Sequence, residues 1–316
     1  MLSRVAESIY WMSRQVERAE NLARFLEVTH NLILDQPENL VDVWEPLVQV
    51  TADNEIFQQR YGEPTAETVT QFLAFDAEYS NSMLSSLRDA RENARGVRES
   101  LSSEAFEQFN DFYHFVFEAA QKPVLESPTE FFDAVRRIAI QWTGVLDSTM
   151  PRDLGWHFAN VGRLIERADK TSRILDVKYF NLLPRVDDVG TAIDDLQWSA
   201  LLLAISGFEA YRRKHHLISI DKVVEFFLFN ESFPRSILFC VTGAEDSLNK
   251  ICKISGPDSG VLAKQRTSAL CHRLGATQVQ EVLAGGMHQF VDSIQIQLNQ
   301  IGDAMNEDYF HAKIDG

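Results

Sequence analysis

The segment Ser13–Val28 reads "SRQVERAENLARFLEV", and a second segment, Gly162–Val177, reads "GRLIERADKTSRILDV". Between Arg14–Val28 and Arg163–Val177, 7 of 15 positions are identical. The identical charged pairs are Arg14 and Arg163, Glu17 and Glu166, Arg18 and Arg167, and Arg24 and Arg173. A charged phrase that occurs twice in one chain predicts two structurally equivalent helices.

The first copy has the apolar spacing of a helix. Its apolar residues recur at alternating steps of four and three, which places them on one helical stripe. They are Val5, Ile9, Met12, Val16, Ala19, Ala23 and Leu26. Similar spacing predicts helices near 38–60, 65–92, 99–121, 128–148, 153–180, 190–215, 220–229, 234–253, 258–273 and 276–306. Because no alternating strand pattern of useful length occurs, the predicted fold is an all-α multi-helix bundle.

The repeat continues beyond the charged phrase. At a shift of 154 residues Trp44 lies over Trp198, Glu55 over Glu209, and the register holds for about 40 residues. Solenoid repeats are shorter, at roughly 20–50 residues each. We therefore expect a single domain over 1–316 built from two duplicated halves, roughly 1–150 and 151–316. By analogy with isologous dimers, the halves should pack about a pseudo-twofold axis.

Composition limits the class of partner. The chain has 30 basic and 46 acidic residues, for a net charge of −16. This charge argues against a nucleic-acid backbone or an anionic membrane as the main partner. The N-terminus lacks the apolar core of a signal peptide, and no stretch approaches the roughly 18 apolar residues of a membrane span. The three cysteines form neither an even set nor a metal-binding spacing, so a cytoplasmic location is expected.

The charged residues of the first helix lie opposite its apolar stripe. Successive helical positions are 100° apart, which places Arg14, Glu17, Arg18 and Asn21 on that opposite side. Large apolar residues flank them there, namely Tyr10, Trp11, Leu22 and Phe25. The helix should therefore be buried on two sides, with its charges in a seam between helices or in the wall of a pocket.

The spacing also predicts how the charges pair. Glu17 and Arg18 are adjacent, point 100° apart and are poor partners for each other. Glu17 can reach Arg14 at i−3, whereas Arg18 needs a counter-charge from elsewhere. We expect Arg18 to bind Glu166 of the second copy, and Arg167 to bind Glu17 in return.

The charge balance leaves the role of this cluster open. Four arginines and two glutamates of the two copies give a local excess of two positive charges. Glu20 and Asp169 could offset that excess, in which case the cluster is a closed structural network. If they do not, it is a pocket for an anionic ligand or a substrate carboxylate, which the forked guanidinium group suits. A catalytic role is the third interpretation.

Two further basic segments are candidates for the same site. Arg91 and Arg95 share a helical face, and they form either a solvated ion-pair ladder with Glu92 or an extension of the cluster. Arg235 follows Pro234, which favours the first position of a helix. Arg235 would then lie at a helix start with free N–H groups, where it could form an anion subsite.

Metal and nucleophile chemistry have little support. Glu27 and His30 have the spacing of one half of a di-iron site, but their counterparts are Asp176 and Tyr179. No glycine-rich phosphate loop, nucleophile elbow or zinc signature occurs. The sequence therefore predicts no metal site and no cofactor, and it assigns no catalytic residue.

Five phrases together resemble the bacterial alpha-E domain family, a helical group named for its Glu-Arg motif and formerly a domain of unknown function. They are "MLSRVAESIYWMSRQVERAEN", "ARENARGVRES", "GRLIERADKTSRILDV", "FEAYRR" and "FPRSILFC", in this order along nearly the whole chain. The family's Glu-Arg motif matches Glu17–Arg18 and recurs at Glu166–Arg167.

The resemblance implies a genomic association with ATP-grasp-type ligases, transglutaminase-like proteins and sometimes a proteasome-related hydrolase. Our leading hypothesis is a non-catalytic helical binding or scaffold protein that acts with an ATP-grasp amide ligase in peptide ligation or modification. Its cluster would bind a partner or a peptidic, carboxylate-bearing ligand. The first alternative is an enzyme of amide formation or transfer, with Glu17 or Glu166 as a general base whose pKa burial raises. The second alternative is a purely structural subunit.

Overall fold

The computed structural model describes residues 1–35, 44–50, 53–122, 125–181, 192–256 and 259–311. All regular secondary structure in these ranges is helical, as the sequence predicts. None of the helices described there has the length and apolar content needed to cross a membrane.

Fifteen α-helices follow one another within the described ranges. They are α1 Ser3–Asp35, α2 Trp44–Val50, α3 Asn54–Arg60, α4 Ala66–Thr70, α5 Met83–Gly96, α6 Ser103–Ala120, α7 Pro128–Thr149, α8 Leu154–Asn181, α9 Ala192–Ala204, α10 Phe208–Lys214, α11 Ile220–Phe229, α12 Ile237–Ser255, α13 Val261–Ala276, α14 Val279–Gly285 and α15 Met287–Met305. Short π-helical turns extend α4 over Gln71–Phe75 and α15 over Asn306–Phe310.

The two copies of the charged phrase lie on α1 and α8, which form the centre of the bundle. Helix α1 packs on α8, α5 and α7, while α8 packs on α1, α12 and α15. Helices α6 and α13 lie further out, α6 against α5 and α7, and α13 against α12 and α15. The charged side chains on the facing sides of α1 and α8 therefore lie near the centre of the bundle.

Helix α1 is buried on two sides, as its sequence predicts. Along the apolar stripe, Ile9, Met12 and Leu26 have no exposed surface. On the opposite side Tyr10 is fully buried and Phe25 nearly so. The polar residues between these flanking side chains must consequently find their partners inside the protein.

The predicted helix over 65–92 is wrong, because the chain turns between the π-helical segment and α5. The Asp76 side chain accepts hydrogen bonds from the backbone N–H groups of Glu78 at 2.8 Å and Tyr79 at 3.1 Å. An aspartate bonded to its own following backbone offers these amides an alternative to the helical ladder. The loop 76–82 that results carries Tyr79 and Asn81 to the central helices.

Three other predicted helices are also interrupted. The segment 190–215 breaks at Ser206, whose φ of 53° lies outside the right-handed helical region, and 276–306 breaks at Gly286, with φ 99°. The segment predicted over 38–60 breaks at Asp53, between α2 and α3. Residues 36–43 and 51–52, which include parts of that predicted helix, lie outside the described residues.

Gly162 lets the two central helices approach closely. A Cβ atom placed on Gly162 of α8 would lie 2.4 Å from the backbone oxygen of Tyr10 on α1. Backbone atoms cannot move aside as a flexible side chain can, so the crossing of α1 and α8 requires glycine at this position.

Replacing Gly162 by alanine should therefore lower the free energy of unfolding by about 1–3 kcal/mol, the usual cost of overpacking. Gly144→Ala is the matched control, because a Cβ at this exposed position of α7 meets nothing within 4 Å. The control should gain about 0.5–1 kcal/mol from the higher helix propensity of alanine. Urea denaturation measures both values. Equal stability of the two variants would contradict the close approach.

Candidate functional site

Glu166 of α8 is the centre of one half of the charged cluster, and it has no exposed surface. Its Oε2 accepts a hydrogen bond from Nε of Arg14 at 2.8 Å, and its Oε1 accepts one from Nε of Arg18 at 2.7 Å. Nη2 of Arg18 donates a further bond to Oε2 at 3.3 Å. Two guanidinium groups of α1 thus hold a single carboxylate of α8.

Glu17 of α1 is the centre of the other half. Arg167 of α8 binds it through two hydrogen bonds, from Nε to Oε1 at 2.8 Å and from Nη2 to Oε2 at 2.7 Å. Nη1 of Arg235 reaches Oε1 at 3.1 Å, and Nδ2 of Asn21 reaches the same oxygen at 2.9 Å. This carboxylate is almost completely buried.

The predicted exchange of partners is confirmed, since Arg18 binds Glu166 and Arg167 binds Glu17. The predicted pairing of Arg14 with Glu17 is wrong, because Arg14 binds Glu166 instead. Arg14 lies one turn before Arg18, so both face the opposing helix, and the oxygens of Glu17 already accept bonds from Arg167, Arg235 and Asn21. We call this arrangement the reciprocal clamp.

Electrostatics keep both glutamates ionised. Burial alone would raise the pKa of Glu166, yet the surrounding cations, Arg18 first among them, hold that pKa well below its ordinary value. Burial is likewise outweighed at Glu17, where Arg167 and Arg235 lower the pKa. The prediction that burial raises the pKa of Glu17 or Glu166, as a general base would need, is therefore wrong for both residues.

Glu20 joins the half of the cluster that contains Glu17. Its Oε1 accepts bonds from Nε and Nη2 of Arg24, at 3.0 and 2.7 Å, and from Nη2 of Arg235. Nη1 of Arg24 also donates to Oγ of Ser206 at 2.6 Å. Glu20 thus pairs with Arg235, one of the arginines around Glu17, and brings Arg24 into the cluster as a further cation.

Asp169 has the same place in the other half. Its Oδ2 accepts bonds from Nζ of Lys170 at 2.9 Å and from Nε of Arg173 at 3.0 Å. Burial opposes ionisation, but these two cations lower the pKa of Asp169 to about 2. Asp169 therefore balances its own neighbours rather than the excess around Glu166.

The cluster remains strongly cationic as a result. Its carboxylates are Glu17, Glu20, Glu166 and Asp169, and its cations are Arg14, Arg18, Arg24, Arg163, Arg167, Lys170, Arg173 and Arg235. Eight cations thus surround these four carboxylates, with Asp147 near Arg163 and Asp53 near Arg173 as further anions, inside a protein whose net charge is −16. The offset that would make the cluster a neutral network is not achieved.

Arg163 does not mirror Arg14, although the two positions match in the repeat. Its Nη2 donates to Oδ1 of Asn160 at 2.5 Å, and it makes no ion pair with the described residues. Burial and the adjacent Arg167 lower the pKa of Arg163. At Glu17 the place of a second guanidinium is taken by Arg235 instead.

Arg235 belongs to the network and not to an anion subsite at a helix start. Helix α12 begins at Ile237, with Ser236 as its cap, so the predicted start at Pro234 is wrong. The Arg235 guanidinium points to Glu17 and Glu20 and away from solvent.

Arg91 and Arg95 are not brought to the cluster. Arg91 donates to Oδ1 of Asn110 at 2.8 Å and lies over the ring of Tyr113. Arg95 pairs with Glu92 at 3.1 Å, and more than half of both side chains is exposed. The solvated ion pair is therefore the correct interpretation for Arg95.

A pocket of about 150 Å³ opens beside the Glu166 half of the cluster. Its charged lining consists of Arg14, Arg18, Lys170, Arg173 and Asp169. With four cations and one carboxylate, such a lining favours an anion. We call it the α1/α8 pocket.

Sequence reasoning missed several residues of the cluster. Arg24 and Arg173 could have been found, because they are an identical pair in the repeat. Lys170 could not have been found, because its counterpart is the neutral Asn21 and no feature of the sequence indicates that its charge belongs to the cluster. Asn81 reaches the cluster only through the unpredicted loop 76–82, where its Oδ1 accepts from Arg18 at 2.6 Å.

The candidate di-iron spacing has another use in the structure. Glu27 pairs with Arg136 at 3.1 Å, and the His30 ring packs edge-on against Trp44. In the described ranges, no group of three or more His, Cys, Asp or Glu side chains is placed to hold a metal ion.

These features define an all-helical protein organised around a buried exchange of Glu-Arg pairs. The chain belongs to the Alpha-E family, described as a predicted alpha-helical domain with a conserved ER motif, whose model matches residues 1–310. The ER pairs of this chain are Glu17–Arg18 and Glu166–Arg167, the four residues of the reciprocal clamp.

Uncharacterized proteins of Mycobacterium bovis and Mycobacterium tuberculosis are similar to this chain. Each is 23% identical over 329 residues, which cover 96% of this chain. The chain spans only 36% of the length of these relatives. No solved structure matches it.

The lowered pKa values predict how stability depends on pH. A carboxylate whose pKa falls on folding stabilises the protein above its unfolded pKa, and this contribution is lost as the pH drops. For Glu17 and Glu166 the loss should begin as the pH falls below about 4.5, and for Asp169 it should extend to about pH 2, where its folded pKa lies. Urea denaturation at pH 7, 4.5, 3 and 2 measures it.

Two variants separate the contribution of the buried carboxylates from other effects of low pH on stability. Glu17→Gln should flatten the pH dependence, whereas Glu107→Gln, at an exposed position of α6, should leave it unchanged. A wild-type protein that is as stable at pH 2 as at pH 4.5 would refute the ionised cluster.

Proposed function

We propose that this chain is a non-catalytic helical binding protein that acts with an ATP-grasp-type amide ligase in peptide ligation or modification. In this proposal the cationic cluster binds a partner or an anionic, carboxylate-bearing ligand. The observation that carries the proposal is the excess of buried cations beside an open pocket. A transglutaminase-like protein is a second partner in the same pathway.

The charge excess favours a ligand over a closed network. Buried cations are costly unless they are paired, and within the described residues each of the four carboxylates of the cluster is shared by at least two cations. A carboxylate from outside would reduce the imbalance, and guanidinium groups bind carboxylates through parallel hydrogen bonds. A purely structural subunit would gain nothing from leaving a cationic pocket open.

Catalysis by the glutamates is less well supported. A general base works best when its pKa lies near the working pH. Glu17 and Glu166 instead have lowered pKa values, and guanidinium groups occupy their oxygens. Their geometry suits holding two helices together better than accepting a proton.

We propose the partnership with a ligase from the family resemblance, and the length of the relatives supports it. The mycobacterial relatives continue well beyond the matched region. A region that occurs inside longer chains is typical of a module that works beside other activities.

We further propose that the chain is an internal duplication with a pseudo-twofold axis between α1 and α8. The starts of α3 and α10 are 154 residues apart, and so are those of α5 and α12. Helix α1 packs on α5 and α7 as α8 packs on α12 and α15. The halves, roughly 1–150 and 151–316, share one core in a single domain.

Reconstitution tests the proposed function. The purified chain is mixed with an ATP-grasp-type ligase encoded in the same genome, and size-exclusion chromatography and ATP-dependent amide formation are measured. We expect a stable complex, faster amide formation by the ligase when the chain is present, and no turnover by the chain alone.

Two other outcomes of the same experiment would count against the proposed function. Turnover by the chain alone, lost in a folded Glu17→Gln variant and kept in Glu107→Gln, would establish the enzyme alternative. Absence of both a complex and any effect on the ligase would contradict the proposal.

A further inference from the structure

Asn81 and Arg235 occupy equivalent places beside the two halves of the cluster. Each directly precedes a serine that caps a helix, Ser82 before α5 and Ser236 before α12. In both caps the serine Oγ accepts a bond from the backbone N–H three residues later, at 3.1 and 3.2 Å. The two side chains therefore enter the cluster from corresponding positions.

On the Arg235 side the space is filled. The guanidinium group joins Glu17, through Nη1 at 3.1 Å, to Glu20, through Nη2. Only 6% of Arg235 is exposed. Glu17 and Glu20 are each only 2% exposed, so this side of the cluster is closed to solvent.

On the Asn81 side a lysine bridges the corresponding carboxylates. Nζ of Lys170 lies 2.9 Å from Oδ2 of Asp169 and 3.5 Å from Oε1 of Glu166. Lys170 comes from α8 itself, whereas Arg235 enters from outside that helix. Because Asn81 is short, the volume that an arginine would fill remains open as the α1/α8 pocket.

The pocket is built for more than a simple anion. Asp169 lines it and is 5% exposed, yet its buried Oδ1 has no hydrogen-bond partner among the described residues. Buried acceptors nearly always have a donor, so an occupant should supply one. Nη2 of Arg14, which also makes no hydrogen bond within the described ranges, can donate to an anion.

Size restricts the occupant further. A cavity of about 150 Å³ holds a molecule such as benzene, which is close to the bulk of one small amino-acid residue. Since the pocket opens to solvent, a longer ligand could extend outward from it.

We propose that the α1/α8 pocket binds the C-terminal residue of a peptide or an N-acylated amino acid. The carboxylate lies against Arg14 and Arg18, and the amide N–H donates to Asp169. The inference rests on the proposed function and deepens it, because it names the subsite and the ligand class. The half of the cluster closed by Arg235 is then structural.

Calorimetric titration with three probes tests the ligand class. N-acetyl-L-alanine carries both a carboxylate and an amide N–H. O-acetyl-L-lactate has the same shape but an ester oxygen in place of the N–H, and sulfate is an anion without a donor. Leaving a buried acceptor unpaired should weaken binding of the ester by about 10-fold or more. Equal dissociation constants for the two organic probes, or tighter binding of sulfate, would overturn the proposal.

A substitution that fills the pocket tests its location. Asn81→Arg should abolish binding of N-acetyl-L-alanine, because the new side chain would enter as Arg235 does in the other half. The matched control, Asn249→Arg at an exposed position of α12, should bind as the wild type does. Retained binding in a folded Asn81→Arg variant would contradict the assignment.

Two variants at an exposed position test the location of the ligand even if Asn81→Arg does not fold. Asn299 of α15 lies at the edge of the pocket and is exposed. Asn299→Asp should weaken binding of N-acetyl-L-alanine several-fold by repelling its carboxylate, and Asn299→Lys should strengthen it by a similar factor. Unchanged affinity in both variants would place the ligand elsewhere.

The probe titration and the reconstitution with the ligase can fail independently of each other. If no probe binds and the ligase complex forms, the pocket assignment is wrong and the proposed function stands. If N-acetyl-L-alanine binds and the isolated chain also performs turnover, the pocket assignment stands and the non-catalytic role is wrong.

Discussion

The structure depends on the reciprocal clamp between α1 and α8. The arginines of each helix bind a glutamate of the other helix. These charges are therefore paired only when the two helices pack together. Since buried ionic groups are costly when unpaired, the clamp favours one register of α1 and α8, the two longest helices within the described residues. The outer helices pack on this central pair.

The clamp is symmetric in its central bonds and asymmetric at its margins. Arg235 closes the side of Glu17, and Lys170 closes the side of Glu166 from within α8. This single difference separates a buried structural network from an open cationic pocket. Under the proposed duplication, one copy of the site serves stability and the other serves binding.

The sequence was sufficient for the parts that helical periodicity controls. The regular apolar spacing predicted an all-α fold, and the large apolar residues that flank Arg14, Glu17 and Arg18 predicted burial of α1 on two sides. The 100° angle between Glu17 and Arg18 predicted the exchange with the second copy. The interruption at Asp76 was not predictable, because a local turn competes there with an apolar helical pattern. The role of Lys170 was also hidden, since it depends on which side chain enters from a neighbouring loop.

A double-mutant cycle on Arg18 and Glu166 tests the reciprocal clamp most directly. The free energy of unfolding is measured for the wild type, Arg18→Gln, Glu166→Gln and the double variant, with Arg95 and Glu92 treated in the same way as an exposed control pair. We expect a coupling energy of about 1–3 kcal/mol for the buried pair and less than about 0.5 kcal/mol for the control. A coupling energy no larger than that of the control would contradict the claim that the clamp joins the two central helices.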